Sequence, residues 1–142
     1  MSAFTYVDAL TEEVCRFLLA EEDVGRVGFV DDDGYPVVLP VNYVLADDFI
    51  VFRTAPGSKL EGVPLRQVAF EVDHLSIIYR SGWSVLVQGH GQEITTALDP
   101  RHARLRNHSV EPWVPGAKDH WLAIRIERVS GRRIVRAGTG GE

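Results

Sequence analysis

The chain has 142 residues, 45% of them hydrophobic and 25% charged, which is the profile of one folded domain with its own core rather than of a disordered or fibrous chain. With 15 Lys+Arg against 20 Asp+Glu the net charge is −5, which excludes a whole-molecule field drawing nucleic acid or an anionic membrane; any anion must be held by a local site. The lone Cys15 excludes an internal disulfide framework, and the absence of a leader pattern or of an apolar run near the roughly 18 residues a spanning helix needs makes the expected location cytoplasmic.

Thr11 followed by Glu12 and Glu13 is a helix start, a hydroxyl cap with two carboxylates at the positive end of the dipole. Val14, Phe17 and Leu18 recur at i, i+3 and i+4, so a helix over 11–22 is predicted with that stripe inward and Cys15 beside it as a buried thiol. From Val24 the pattern changes to short β-rich runs, VGRVGFV, VVLPVNYVL and FIVFRT. Turn signals at Asp33-Gly34 and Asp47-Asp48 separate them, which predicts a three-stranded antiparallel meander. KLEGVPLRQ has room for one short helix before the strand VAFEVDHL. A long strand follows in WSVLVQGHGQEIT (83–95), with Gly89 and Gly91 marking a bulge. Pro100 opens a helix in PRHARLRNH, and WLAIRIERVSGRRIVR (121–136) reads as a last strand pair about a Ser-Gly turn. The result is a single domain over 1–136 with a flexible tail at 137–142. Its class is mainly β (α+β), a six-stranded antiparallel barrel, closed or nearly so, with flanking helices. There is no Gly-rich βαβ fingerprint and no repeat of solenoid period.

Three stretches carry chemistry. In FRTAPGSK, a β-run breaks into a Pro-Gly turn that presents Arg53, Thr54, Ser58 and Lys59, and Lys59 is one of only two lysines in the chain. A phosphate needs cationic and hydroxyl donors converging with backbone N–H groups, and this turn offers all three kinds; solvated cations at a strand end would give the same pattern. In VVLPVNY, Pro40 withholds a ladder donor, so the segment Val38, Leu39, Pro40, Val41, Asn42 and Tyr43 either bulges or lies at a sheet edge. Backbone groups freed there can read the polar edge of a planar heterocycle. In GWSVLVQ, alternation puts Ser84, Leu86 and Gln88 on one face, which suits a ligand site with a few fixed polar contacts or a plain solvated edge. The five histidines show no ligand spacing, so no metal is expected, and no nucleophile elbow is present. The arginines of RHARLRNH fit a solvated helix face, and VPGAK (114–118) echoes APGSK between Trp113 and Trp121.

Taken in order, GRVGFV, GYPVVLPVNY, FRTAPGSKL, VAFEVD and GWSVLVQGHGQEIT resemble the pyridoxamine 5′-phosphate oxidase-like family of flavin-binding split β-barrels. The resemblance implies a split barrel forming a homodimer, with FMN held between the two subunits and a small-molecule substrate. It places Val38 to Tyr43 along the isoalloxazine ring, with backbone groups and Asn42 near the pyrimidine edge. Arg53, Thr54, Ser58 and Lys59 fall at the 5′-phosphate, Ser84 at a flavin contact from the neighbouring subunit, and Trp121 or Arg132 on the far side of the ring.

The departures are as specific as the matches. The vitamin B6 oxidase carries basic residues where this chain has Val38 and Tyr43, and its C-terminal Arg-x-His is replaced by SGRRIVR, so pyridoxamine phosphate oxidase activity itself is not expected. The expected function is an FMN-dependent oxidoreductase in which no side chain is nominated as catalytic. The rivals are an F420-dependent reductase of the same fold, a flavin or haem protein without turnover, and a cofactor-free interaction module.

Overall fold

The computed structural model describes residues 4–95, 100–106, 110, 112–113 and 120–137. In chain order its elements are β1 (Phe4–Leu10), α1 (Glu12–Glu21), β2 (Val24–Val30), β3 (Pro36–Asn42), β4 (Val44–Ala46) and β5 (Phe49–Thr54). A 3-10 turn (Lys59–Gly62), β6 (Gln67–Ser76), β7 (Ser81–Glu93), α2 (Pro100–Arg106) and β8 (His120–Ala137) complete it. The strands form one antiparallel sheet in the order β3-β2-β6-β7-β8-β5-β4, with β1 added to β8.

That order fixes the architecture. β3 and β4 stand at opposite ends of the sheet, yet Tyr43 alone separates them in sequence, and one residue spans no more than about 3.6 Å. The two ends must therefore meet: the sheet curls into a barrel whose seam, between β3 and β4, carries no ladder. This is the split barrel the sequence suggested, with eight strands among the described residues instead of six. The expected meander is corrected here. β2–β3 and β4–β5 pair as hairpins, but β3 joins neither β4 nor β5. Tyr43 supplies the reason. Its hydroxyl donates to the Leu19 carbonyl at 2.5 Å, its N–H donates to the Asp23 carbonyl at 3.0 Å, and its ring meets Phe70 edge-on at 4.7 Å. The residue is thus pulled into the core beneath α1 and sends the chain across the seam.

The inward faces of β2, β5, β6, β7 and β8 fill the barrel with Val27, Ile50, Phe52, Phe70, Val72, Val85, Val87 and Ile124, all at 0% exposure. α1 closes this core. Thr11 caps it by accepting the Val14 N–H at 3.2 Å, as its sequence position suggests. Its inward stripe differs from the predicted one: Cys15 and Leu19 are fully buried, Leu18 packs beside them, and Phe17 is 63% exposed. A second, smaller core lies on the outside of β5 and β8, where Val51 and Ala123 meet Leu105 of α2, Ile94 and Val110.

Two further expectations meet the structure along β7 and β8. The bulge in β7 is present, as a register shift between Gln88 and Gly89. The predicted hairpin at Ser130-Gly131 is absent, because 120–137 is one continuous strand lying between β7 on one side and β5 then β1 on the other. Gly131 is there for space, not for a turn: a Cβ would lie 2.7 Å from Cys15 Sγ and 2.9 Å from the Ser84 carbonyl oxygen. Strand β1, which the sequence reading did not identify, pairs with the second half of β8, from Leu10 opposite Gly131 to Phe4 opposite Ala137. No helix among the described residues is long and apolar enough to cross a membrane. Of the proposed tail, 138–142 lie outside the described residues, as does VPGAK.

Candidate functional site

Alternation on the outer barrel face aligns Val38 of β3, Gly28 of β2, Ala69 of β6, Gln88 of β7 and Arg128 of β8 in one row across five strands. The middle of that row is glycine and alanine, so the face sinks into a trough of about 720 Å³, also bounded by Val30, Pro36, Gln67 and Glu127. A Cβ on Gly28 would stand 3.9 Å from the Ala69 Cβ and 4.0 Å from Val38, raising the floor at its centre. One bank is β3, whose only sheet neighbour among the described residues is β2. Pro36 and Pro40 sit two periods apart on that strand, which is where the missing N–H costs no ladder bond: the side facing the open edge. By the same period Val38 and Asn42 present backbone groups to that edge.

The next rows on this face carry charge. Arg26 aligns with Pro40 and with Glu71, and Glu71 aligns in turn with Leu86. Arg26 Nη1 lies 3.2 Å from Glu71 and 3.5 Å from Asp73. Burial, followed by the hydrogen bond and charge of Asp73, pushes the Glu71 carboxyl up to about 7 against the opposing pull of Arg26. Ser84 stands beside Asp73 and is followed across the sheet by Arg132.

The 55–62 turn lies past one end of the trough. Lys59 lines a smaller hollow of about 270 Å³ with Arg66 and Asp31 to Asp33, and that hollow shares Phe29 and Val37 with the trough. Three of the turn's amides are engaged internally. The Ser58 N–H goes to the Ala55 carbonyl at 3.2 Å and the Leu60 N–H to Ser58 Oγ at 3.1 Å. The Gly57 N–H goes to Glu61 Oε2 at 2.8 Å.

The structure therefore brings Val38, Pro40 and Ser84 to one face, with Asn42 half-buried at the end of β3. Leu39 and Val41 point into the barrel, and the Tyr43 side chain belongs to the core. Arg53 and Thr54 face opposite sides of β5. Thr54 is 3% exposed, whereas Arg53 stacks 4.9 Å from the Trp121 ring, with Nη1 3.3 Å from the Val110 carbonyl. Trp121 is thereby committed to the second core, and Arg106 of α2 stands 5.3 Å from the same ring. The sequence reading missed Gly28, Ala69, Arg26 and Glu71. The signal was available in VGRVGFV and VAFEVD, where small residues occupy outward positions that alternation normally fills with polar ones. Among the described residues no three His, Cys, Asp or Glu side chains are grouped to hold a metal ion.

Comparison with known proteins agrees with the split-barrel fold. An uncharacterised protein of Mycobacterium tuberculosis is 36% identical over 141 residues, spanning 94% of this chain and 89% of its own length. The solved structure of an FAD-binding protein from Mycobacterium smegmatis superposes with a TM-score of 0.73 at 28% identity, over 88% of this chain and 95% of that one. An FAD-binding protein from Mesorhizobium loti gives 0.73 at 27%, over 93% and 99%. An FAD- and haem-binding protein from M. smegmatis, at 21% identity and a TM-score of 0.62 over 85% and 70%, shares the fold alone. The family model described as pyridoxamine 5′-phosphate oxidase matches residues 11–133, and the chain, a split barrel, belongs to that family.

Proposed function

We propose that the protein binds a flavin in the outer-face trough and acts as an oxidoreductase on a small molecule, working as a homodimer with a cofactor between its subunits. The observation that carries the reading is the trough itself, whose size falls in the range of small-ligand sites and whose Gly28–Ala69 floor leaves a flat apolar bed beside an open strand edge. A planar ring fits this bed. The outward groups of Val38 and Asn42 would meet its polar edge, Leu86 and Gln88 would lie along its far side, and Lys59 with the Ser58 hydroxyl would hold the phosphate end. When bound, a flavin supplies reversible electron transfer, and the chain's part is to bind, orient and shield it. A second copy would cover the trough from its solvent side, and Ser84 lies on the same outer face.

FMN is the proposed cofactor, and FAD is the second reading. Two features favour FAD: the FAD-binding neighbours at 28% and 27% identity, and a 55–62 turn whose amides are already engaged. Purification tests both. A yellow protein that releases FMN on denaturation supports the first, release of FAD supports the second, and F420 or a Soret band would replace flavin altogether. A colourless protein that takes up no flavin in titration would overturn the reading. Reduction by NAD(P)H with acceptor-dependent reoxidation would establish turnover. Lys59→Ala should weaken FMN far more than riboflavin, since only FMN carries a phosphate.

A further inference from the structure

We propose that Glu71 couples proton uptake to the redox state of the trough, taking a proton from solvent when two electrons enter the bound flavin and releasing it when they leave. The inference rests on the flavin reading above.

The placement follows from alternation. Arg26 and Glu71 stand two residues from Gly28 and Ala69 on the same outer face, about 7 Å beyond the floor of the trough. Lys59 lies past the opposite end, where its hollow reaches Asp31 to Asp33 beyond the end of β2. With the phosphate at Lys59, the ring end points toward Arg26, which faces Pro40 between Val38 and Asn42 of the open edge.

Three charged groups meet there. Arg26 Nη1 lies 3.2 Å from Glu71 and 3.5 Å from Asp73, and the two carboxylates are successive outward residues of β6. One guanidinium cannot neutralise two carboxylates, so the trio carries one surplus negative charge, which a proton removes. Around it stand Pro40 from β3, Leu86 and Ser84 from β7 and, one strand further, Ser130 and Arg132 from β8. Of these only Arg132 is charged, and it stays so at every working pH. Burial, with Asp73 beside it, pushes the Glu71 carboxyl up to about 7 against the pull of Arg26, so Glu71 is the member that exchanges its proton near neutrality.

A carboxylate holds its proton more tightly as its surroundings become more negative, and electrons added to the ring end make them so. The step balances. Two electrons come from the reductant, a reduced nicotinamide or the dithionite of the test below, and the Glu71 carboxylate with one solvent proton becomes the carboxylic acid. Reoxidation reverses it.

Glu71→Gln keeps the shape of the carboxyl and is neutral throughout. Midpoint potentials of the flavin-loaded parent and variant are measured by dithionite titration with mediator dyes, from about pH 5 to about pH 9. Reduction should tighten the hold of Glu71 on its proton about tenfold, so the two potentials coincide at the acid end and the parent falls to about 30 mV below the variant at the alkaline end. A purely structural role would offset the curves equally at every pH. Carboxyl-carbon NMR of the parent follows Glu71 itself, whose titration should move up by about one pH unit on reduction. Parallel potential curves, or a Glu71 titration unmoved by reduction, overturn the coupling and leave the flavin reading standing. If the variant fails to fold or to load, the NMR titration of the parent decides alone. A parent that takes up no flavin overturns both readings.

Discussion

The two halves of β8 have opposite surroundings. Residues 120–126 pair with β5 and the end of β7, and 121–124 are covered by the barrel core within and by the α2 cluster outside; Leu122, Ala123 and Ile124 are at most 1% exposed. Residues 131–136 pair with β1 and the start of β7, and on this flange Tyr6, Val7 and Leu75 are 42%, 57% and 58% exposed. Continuing past Leu75, the β6–β7 hairpin exposes Ile77 at 91% and Ile78 at 84%. One strand thus runs from the interior of the domain to a flange with several exposed apolar side chains. The first half holds the barrel together and the second lies at its surface.

That contrast can be broken or sharpened by substitution. The largest loss is expected from Ile124→Ala, which empties a fully buried site in the barrel and should cost about 2–5 kcal/mol in denaturant unfolding. Gly131→Ala, where the strand leaves the core, forces a methyl against Cys15 and the Ser84 backbone and should cost about 1–3 kcal/mol; no effect would mean that α1 does not seat on β8 as described.

Glu71 comes next. Its carboxyl is raised from 4.5 to about 7 on folding, so the folded chain holds that proton more tightly than the unfolded one. Its contribution to stability is therefore fully present below about pH 4.5 and is lost as the pH rises through about 7. The side chain is 35% exposed, so the pH-dependent difference should amount to about 1 kcal/mol or less. Comparing unfolding at pH 5 and pH 8 in the parent and in Glu71→Gln checks it: the fall should vanish in the variant. Smallest is Val7→Ser on the flange, expected within about 0.5 kcal/mol by unfolding at low protein concentration; a larger loss would show that the flange supports the monomer itself.

What the sequence disclosed follows the same division. Elements with strong local chemistry were legible: the Thr11 cap, the Asp33-Gly34 hairpin, the β7 bulge and the Pro100 helix start. What was not legible depended on partners distant in sequence. Ser-Gly at 130–131 is a turn by local preference, and the close approach of the Cys15 thiol and the Ser84 carbonyl explains why a glycine is needed within a straight strand. Nothing around Tyr43 announces that it links the two ends of the sheet, since what holds it there is a carbonyl on α1. In the site, the proline-broken strand was legible because proline acts locally. The trough floor was not singled out, because glycine and alanine at 28 and 69 acquire meaning only when β2 and β6 are neighbours. Likewise the internal use of the 55–62 amides depends on which way the Glu61 side chain turns.

The prolines of β3 have a further consequence. An unpaired strand edge is a template on which another extended chain can grow, and folded proteins guard such edges against aggregation. With Pro36 and Pro40 at the outward positions, β3 cannot supply a continuous row of donors to an incoming strand. The edge can satisfy a compact molecule that asks for one or two polar contacts, while a strand asking for a full ladder finds every second or third rung missing. The open seam of the barrel can therefore stay exposed without inviting polymerisation.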